Sequence, residues 1–198
     1  LARLAQGMGD AIRHRGPDAH GEDVEADCGL ALSHRRLSIL DLSPAGAQPM
    51  ASHAGRWQIV FNGEIYNYQT VRAALEADVG QIAWRGHSDT EVILAALETW
   101  GVERALKALD GMFALAAWDR AERRLILARD RLGEKPLYWG QMPDGTLLFG
   151  SELRALFTHP AWQGEIDRDA LAAFLRNQCV PAPRSIFRHV QKLLPGHW

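Results

Sequence analysis

Between residues 56 and 149 the chain repeats one pattern: a short apolar or alternating run, bounded by turn-forming residues. Residues 56–61, 111–118, 124–129 and 146–149 each read as strands, and 137–140 as a further one. Residues 29–36 add a strand ahead of them. Helical spacing lies to either side. Leu1, Leu4, Met8 and Ile12 recur on one face, residues 68–77 read as helix, and Val92, Ile93, Ala96, Leu97 and Trp100 give a longer helix its buried side. A short helix follows Ser151, and another spans 168–176. Helices that flank runs of strands, rather than alternating with each strand, point to antiparallel sheets covered by helices and away from βαβ units. Arg15-Gly16-Pro17-Asp18 and Ser43-Pro44-Ala45-Gly46 break the chain. Asn62-Gly63 reads as a tight turn closing the 56–61 strand.

A length of 198 residues fits one domain, and a 47% hydrophobic share is enough for a core. The net charge of −2 gives no reason to expect a nucleic acid or an anionic membrane as partner. The local clusters Arg13-His14-Arg15 and His34-Arg35-Arg36 read as solvated surface. No apolar run reaches the roughly 18 residues of a membrane span. Two cysteines make no disulfide framework, which suits a reducing cytoplasm. Cys28 and Cys179 read as small buried hydrophobes. The histidines are scattered, so no metal site is expected. No signal peptide is visible. The chain begins at Leu1 and ends at Trp198 after a Pro-Gly turn, and both ends read as cuts.

Three segments carry more chemistry than a fold needs. Asn62-Gly63 is followed by Glu64-Ile65-Tyr66-Asn67. An Asn amide beside a Gly N–H offers two donors that can converge on one oxygen, as an oxyanion hole requires; the plainer reading is a turn. Arg36 precedes a strongly apolar stretch. Its guanidinium is either surface charge or a bidentate partner for a carboxylate. Asp89, in Gly86-His87-Ser88-Asp89-Thr90-Glu91, is either part of a helix cap or a carboxylate for an ammonium group. An Arg for a carboxylate and an Asp for an ammonium together describe an amino-acid site.

Eight segments in order resemble the class II glutamine amidotransferase domain of asparagine synthetases. They are Arg13-His14-Arg15-Gly16-Pro17-Asp18, Arg36-Leu37-Ser38-Ile39, Ala47-Gln48-Pro49, Asn62-Gly63-Glu64-Ile65-Tyr66-Asn67, Ser88-Asp89-Thr90-Glu91-Val92-Ile93, Asp110-Gly111-Met112-Phe113-Ala114, the stretch 128–138 and Gly150-Ser151-Glu152-Leu153-Arg154-Ala155-Leu156. The resemblance implies an α+β fold, the N-terminal-nucleophile αββα sandwich: two antiparallel sheets with helices on both outer faces. It implies L-glutamine as ligand. Arg36 would grip the α-carboxylate, with Leu37, Ser38, Ile39 and Leu40 helping through backbone groups. Asp89 would hold the α-ammonium, Gly63 and Glu64 would line the pocket, and Asn62 and Gly63 would form the oxyanion hole. The family pattern puts Met112 and Arg15 near the route of ammonia.

In that family an N-terminal cysteine attacks the glutamine amide, with its own α-amine as base. Such an amine has a pKa of about 7.7–8.0, near neutral. Leu1 is no nucleophile, so residues 1–198 read as the amidotransferase domain without its nucleophile segment, expected to be inactive as it stands. Residues 180–198 are expected to lead toward an absent C-terminal synthetase domain, with an exposed apolar patch at Ile186, Phe187, Val190, Leu193 and Leu194 and with the 133–137 loop facing the same partner. ATP and Mg²⁺ belong to that domain, and no cofactor to this one. The resemblance is compatible with a homodimer. The expected function is hydrolysis of glutamine to glutamate and ammonia, for ATP-dependent amidation of aspartate or a related carboxylate. The alternative is a degenerate, noncatalytic domain, as in β-lactam-synthetase-like proteins. Amidotransferases that make glucosamine phosphate or phosphoribosylamine fit the 62–67 and 131–138 segments less well.

Overall fold

The computed structural model describes residues 1–38 and 43–198. Its central layer is an antiparallel sheet of β3 (Met50–Ala51), β4 (Trp57–Ile65), β5 (Gly111–Asp119) and β6 (Arg124–Arg129), in that order. Alternation along β4 and β5 sorts the side chains. Trp57, Ile59, Phe61, Ile65, Phe113, Leu115 and Ala117 are buried in the larger core, together with Val71 and Leu75 of α2 (Tyr68–Val79) and Val92, Ile93, Ala96 and Leu97 of α3 (Asp89–Ala108). Burying a Val, Leu, Ile or Phe side chain contributes roughly 1.5–3 kcal/mol. Val60, Asn62, Ala114 and Ala116 point the other way.

On that second side stand the hairpin of β1 (Ala19–Glu25) with β2 (Leu30–Arg36), and the sheet β8 (Leu147–Gly150), β7 (Tyr138–Gln141), β9 (Gln191–Lys192). β2 meets β4, and the outer face carries α1 (Ala2–Ala11) and α4 (Leu153–Phe157), which pack on each other. Met8 and Ile12 meet Leu148, Leu156 and Val190 in a smaller core there. The layers are helix, sheet, sheet, helix, as the resemblance implied. α5 (Arg168–Asn177) follows, with Asp167 Oδ1 accepting from the N–H groups of Asp169 and Ala170 as its cap.

Three expectations are corrected, and one strand is added. Asn62-Gly63 is no turn: both continue β4, opposite Ala114 and Phe113. A Cβ on Gly63 would stand 2.1 Å from the Met112 carbonyl oxygen, so glycine serves the close approach of two strands. β1 was not foreseen, because its sequence is polar and it has no fully buried residue. The cysteines are not buried hydrophobes: Cys179 is exposed beyond the left-handed Gln178 that ends α5, and Cys28 is half-buried, with Sγ donating to the Glu25 carbonyl. The tail does not expose the five apolar residues named. Val190 is buried, Phe187 packs edge-on to Phe157 and Trp162, and β9 pairs with β7.

Candidate glutamine site

The candidate residues gather along one edge of β4. In an antiparallel strand, alternate residues present their N–H and C=O to the same edge. β5 takes one edge of β4; beyond the short β3, the other edge runs past Phe61, Gly63 and Ile65. The Phe61 N–H donates to Gln48 Oε1 at 2.6 Å. The Ile65 N–H donates to Asp89 Oδ2 at 2.9 Å. The alternation places the Gly63 N–H between them, outside the β4–β5 ladder. Asn62, one residue earlier, turns its side chain to the opposite layer, where its Nδ2 is buried and finds no hydrogen-bond partner among the described residues. An unpartnered buried amide costs about 1–3 kcal/mol, so a fold carrying one has a reason to keep it.

Asp89 opens α3 but does not cap it. Ser88 Oγ accepts from the Glu91 N–H at 3.3 Å and takes that role. Asp89 is 5% exposed, and no ion pair to it forms among the described residues. Burial raises its pKa, against the hydrogen bonds from Ile65 and Thr90 that lower it, and the neighbouring Glu64 raises it further. A buried carboxylate without a counter-cation suits a cationic ligand group.

Glu91 holds the approach to Asp89. Its carboxylate accepts from the N–H groups of Arg85 (2.8 Å) and Gly86 (3.0 Å) and pairs with His53 at 3.1 Å. Burial pushes its pKa up, but these hydrogen bonds outweigh burial and hold it below the usual range. The 85–88 loop is therefore tied to α3 and to the β3 turn at once.

Arg36 ends β2, where its Nη1 donates to the Ser43 carbonyl at 3.1 Å. The Arg-Gly-Pro-Asp segment shapes this end. Gly16 packs so tightly on the Arg35 backbone that a Cβ would come within 2.3 Å. Asp18 Oδ2 accepts from the Ser38 N–H at 2.8 Å, and the Asp18 N–H donates to the Arg36 carbonyl. Leu37 beside it is exposed; Ile39 and Leu40 lie outside the described residues. His34, two residues before Arg36, joins β2 to the candidate edge. Its Nε2 lies 3.1 Å from the Phe61 carbonyl, which can only accept, so the ring nitrogen donates. Burial lowers the His34 pKa to about 4, against that hydrogen bond and helped by the Arg36 charge. The ring is neutral at pH 7.

Gly63 and Glu64 thus stand on β4 beside Ile65, whose N–H meets Asp89; Asn62 shares that strand but faces the other layer, and Arg36 lies on β2, tied to β4 through His34. Met112 lies opposite Glu64 on β5. Arg15 Nη1 binds Glu152 ahead of α4 at 3.1 Å. The sequence offered a weak signal for Gln48, a polar residue before Pro at the start of a short strand, and none for the clamp role of Glu91. Beside Asn62 lies a groove with a cavity of about 210 Å³, between the free edge of β2 (Ala31, Ser33) and the free edge of β8 (Leu148, Phe149), floored by Val60 and Ala114.

Residues 2–198 match the model of the glutamine amidotransferase domain family. The chain belongs to that family. It is 39% identical, over 98% of its length, to asparagine synthetase (glutamine-hydrolyzing) 1 of Bacillus subtilis, and covers 29% of that protein. It is 38% identical to a putative asparagine synthetase of Mycobacterium bovis, covering 93% of this chain and 29% of that one. It is 36% identical to amidase chry2 of Gibberella zeae, covering 96% and 27%. The chain thus spans less than a third of the length of these relatives. Among solved structures, the glutamine phosphoribosylpyrophosphate amidotransferase of B. subtilis superposes with a TM-score of 0.62 at 21% identity, over 79% of this chain and 40% of that one, a likeness of fold. Among the described residues no helix is long and apolar enough to cross a membrane.

Proposed function

We propose that this domain hydrolyses L-glutamine to glutamate and ammonia within a longer, cytoplasmic, ATP-dependent ligase that amidates aspartate or a related carboxylate. Asp89 receives the α-ammonium, Arg36 the α-carboxylate, and Gly63 and Glu64 line the pocket, with backbone groups of residues 37–40 beside Arg36. The Asn62 Nδ2 and the Gly63 N–H stabilise the oxyanion that develops as the side-chain amide is attacked. The Asn62 amide, buried beside the β4 edge and unpartnered among the described residues, carries this reading, and the buried Asp89 carboxylate supports it. ATP and Mg²⁺ act in the synthetase part of the polypeptide, toward which residues 180–198 lead, and a homodimer is compatible with this arrangement.

The attacking group is a cysteine with a free α-amine, carried by a segment ahead of Leu1. Neither Cys28 nor Cys179 lines the groove beside Asn62. That groove is bordered by two strand edges whose backbone groups can pair with an inserted strand. The thiol gives its proton to the α-amine as sulfur bonds to the amide carbon. The amide nitrogen then takes that proton and leaves as ammonia, and water releases glutamate from the thioester.

The clamp is tested in the full-length enzyme. Losing one partner of a buried, hydrogen-bonded charge pair costs about 2–5 kcal/mol. Arg36→Ala and Asp89→Ala should each raise the glutamine KM at least about tenfold and leave ammonia-dependent synthesis nearly intact. A native glutamine KM in either variant removes that residue from the clamp.

A further inference from the structure

Phe61 is the point where the β3–β4 ladder gives out. Met50 pairs with Ile59, so a continuing ladder would set residue 48 opposite Phe61. There, instead of backbone, two side chains satisfy the strand. Gln48 Oε1 accepts from the Phe61 N–H, and neutral His34 donates to the Phe61 carbonyl. The other end of the Gln48 carboxamide does something edge repair does not need: Nε2 donates to Thr90 Oγ1 at 3.3 Å. Thr90 is 3% exposed and follows Asp89; Phe61 precedes Asn62. One amide therefore bridges the residue before the oxyanion donor and the residue after the ammonium ligand. Gly21 packs against the Gln48 carbonyl so closely that a Cβ would come within 2.3 Å, which fixes the Gln48 backbone from the far side.

We propose that Gln48 is a positioning residue that sets the spacing between the oxyanion donors on β4 and Asp89 on α3. The inference rests on the glutaminase reading above. Without the bridge, the β4 edge and the start of α3 keep, among the described residues, the Ile65–Asp89 hydrogen bond at this point, and that bond shares the carboxylate with a bound ammonium. Loss of register then shows in both binding and chemistry.

The test uses the full-length enzyme and four variants: Gln48→Met, which removes both hydrogen bonds at nearly constant volume, Thr90→Val, which removes one, Thr90→Ser, which keeps the hydroxyl, and the Gln48→Met/Thr90→Val double variant. Gln48→Met should lower the glutamine kcat/KM by about tenfold or more, through kcat as well as KM, with ammonia-dependent synthesis unchanged. Thr90→Val should raise KM a few-fold, about the loss of one hydrogen bond, and Thr90→Ser should restore it. Adding Thr90→Val to Gln48→Met should cost nothing more, because the shared bond is already gone. Native kinetic constants in Gln48→Met, or a lower melting temperature with unchanged constants, overturn the inference and leave Gln48 a fold residue. If Gln48→Met does not fold, a native glutamine KM in Thr90→Val overturns it equally. Absence of glutamate release by the native enzyme would instead sink the glutaminase reading itself.

Discussion

Asn62 is where fold and function ask for different side chains. Its amide nitrogen is buried without a partner among the described residues, a cost that alanine does not carry. As an oxyanion donor, the same group is worth about 10²–10³ in rate. Asn62→Ala should therefore lower kcat for glutamine by about that factor while the melting temperature stays level or rises. Parallel kinetics and thermal melts read both; a lower melting temperature with native kcat would show a structural amide. Asp89 gives a second signature. Its carboxyl holds its proton to a higher pH than an ordinary Asp, mainly because it is buried. A bound ammonium favours the charged form, so ligand affinity should fall as pH drops through this raised pKa, with proton release on binding over that range. Calorimetry in buffers of different ionisation heat measures the release. Asp89→Asn should bind more weakly and lose this acid limb; an unchanged limb in Asp89→Asn would falsify the assignment.

The loop between β6 and β7 shows how one side chain can organise an element. Asp130 is 1% exposed and accepts from the N–H groups of Phe113, Leu132, Glu134 and Lys135 at 2.9–3.1 Å. Burial pushes its pKa up, but these donors prevail and lower it. Arg129 closes the loop from the other side, donating to the carbonyls of Gly133, Lys135 and Leu193. Asp130→Ala orphans four N–H groups and should cost about 3 kcal/mol or more. Urea denaturation measures it; a loss below about 1 kcal/mol would mean that water replaces the carboxylate freely. The strands with a core face were legible in the sequence, 124–129 to the residue, because alternation reports burial. So was the Ser88 cap with Glu91. β1 was hidden because it pairs without burying, and Asn62-Gly63 because the β5 ladder overrides a local turn preference. At the candidate site, Arg36 and Asp89 stood out in the sequence because a charged side chain suggests the group it would pair with. Gln48 showed only weakly and His34 not at all, since their hydrogen bonds go to a strand that only the fold brings near.

Across the whole molecule the two cores are unequal. The larger packs under α2 and α3, while the smaller, under α1 and α4, lies beside the groove between β2 and β8 next to Asn62. Apolar side chains also face solvent at Leu132 (81% exposed), Leu175 (73%) and Trp198 (57%). The groove allows the sharpest test of the proposed chemistry. The carboxylate grip, ammonium grip and oxyanion donors proposed above would position an amide but could not cleave it by way of a thioester. Residues 1–198 alone should therefore bind glutamine and release glutamate at a rate lower by orders of magnitude than the complete enzyme, as when a nucleophile is deleted and its supporting groups are kept. A preceding segment processed so that cysteine is its first residue should restore hydrolysis and raise the melting temperature, since a strand seated between β2 and β8 pairs two open edges. The same segment with Ala for that cysteine should raise the melting temperature and stay inactive, and one that keeps a residue ahead of the cysteine should also stay inactive, because its α-amine is then locked in a peptide bond. Brisk glutamate release by residues 1–198 would mean that a group already in this chain attacks the amide, and the cysteine mechanism would have to be given up.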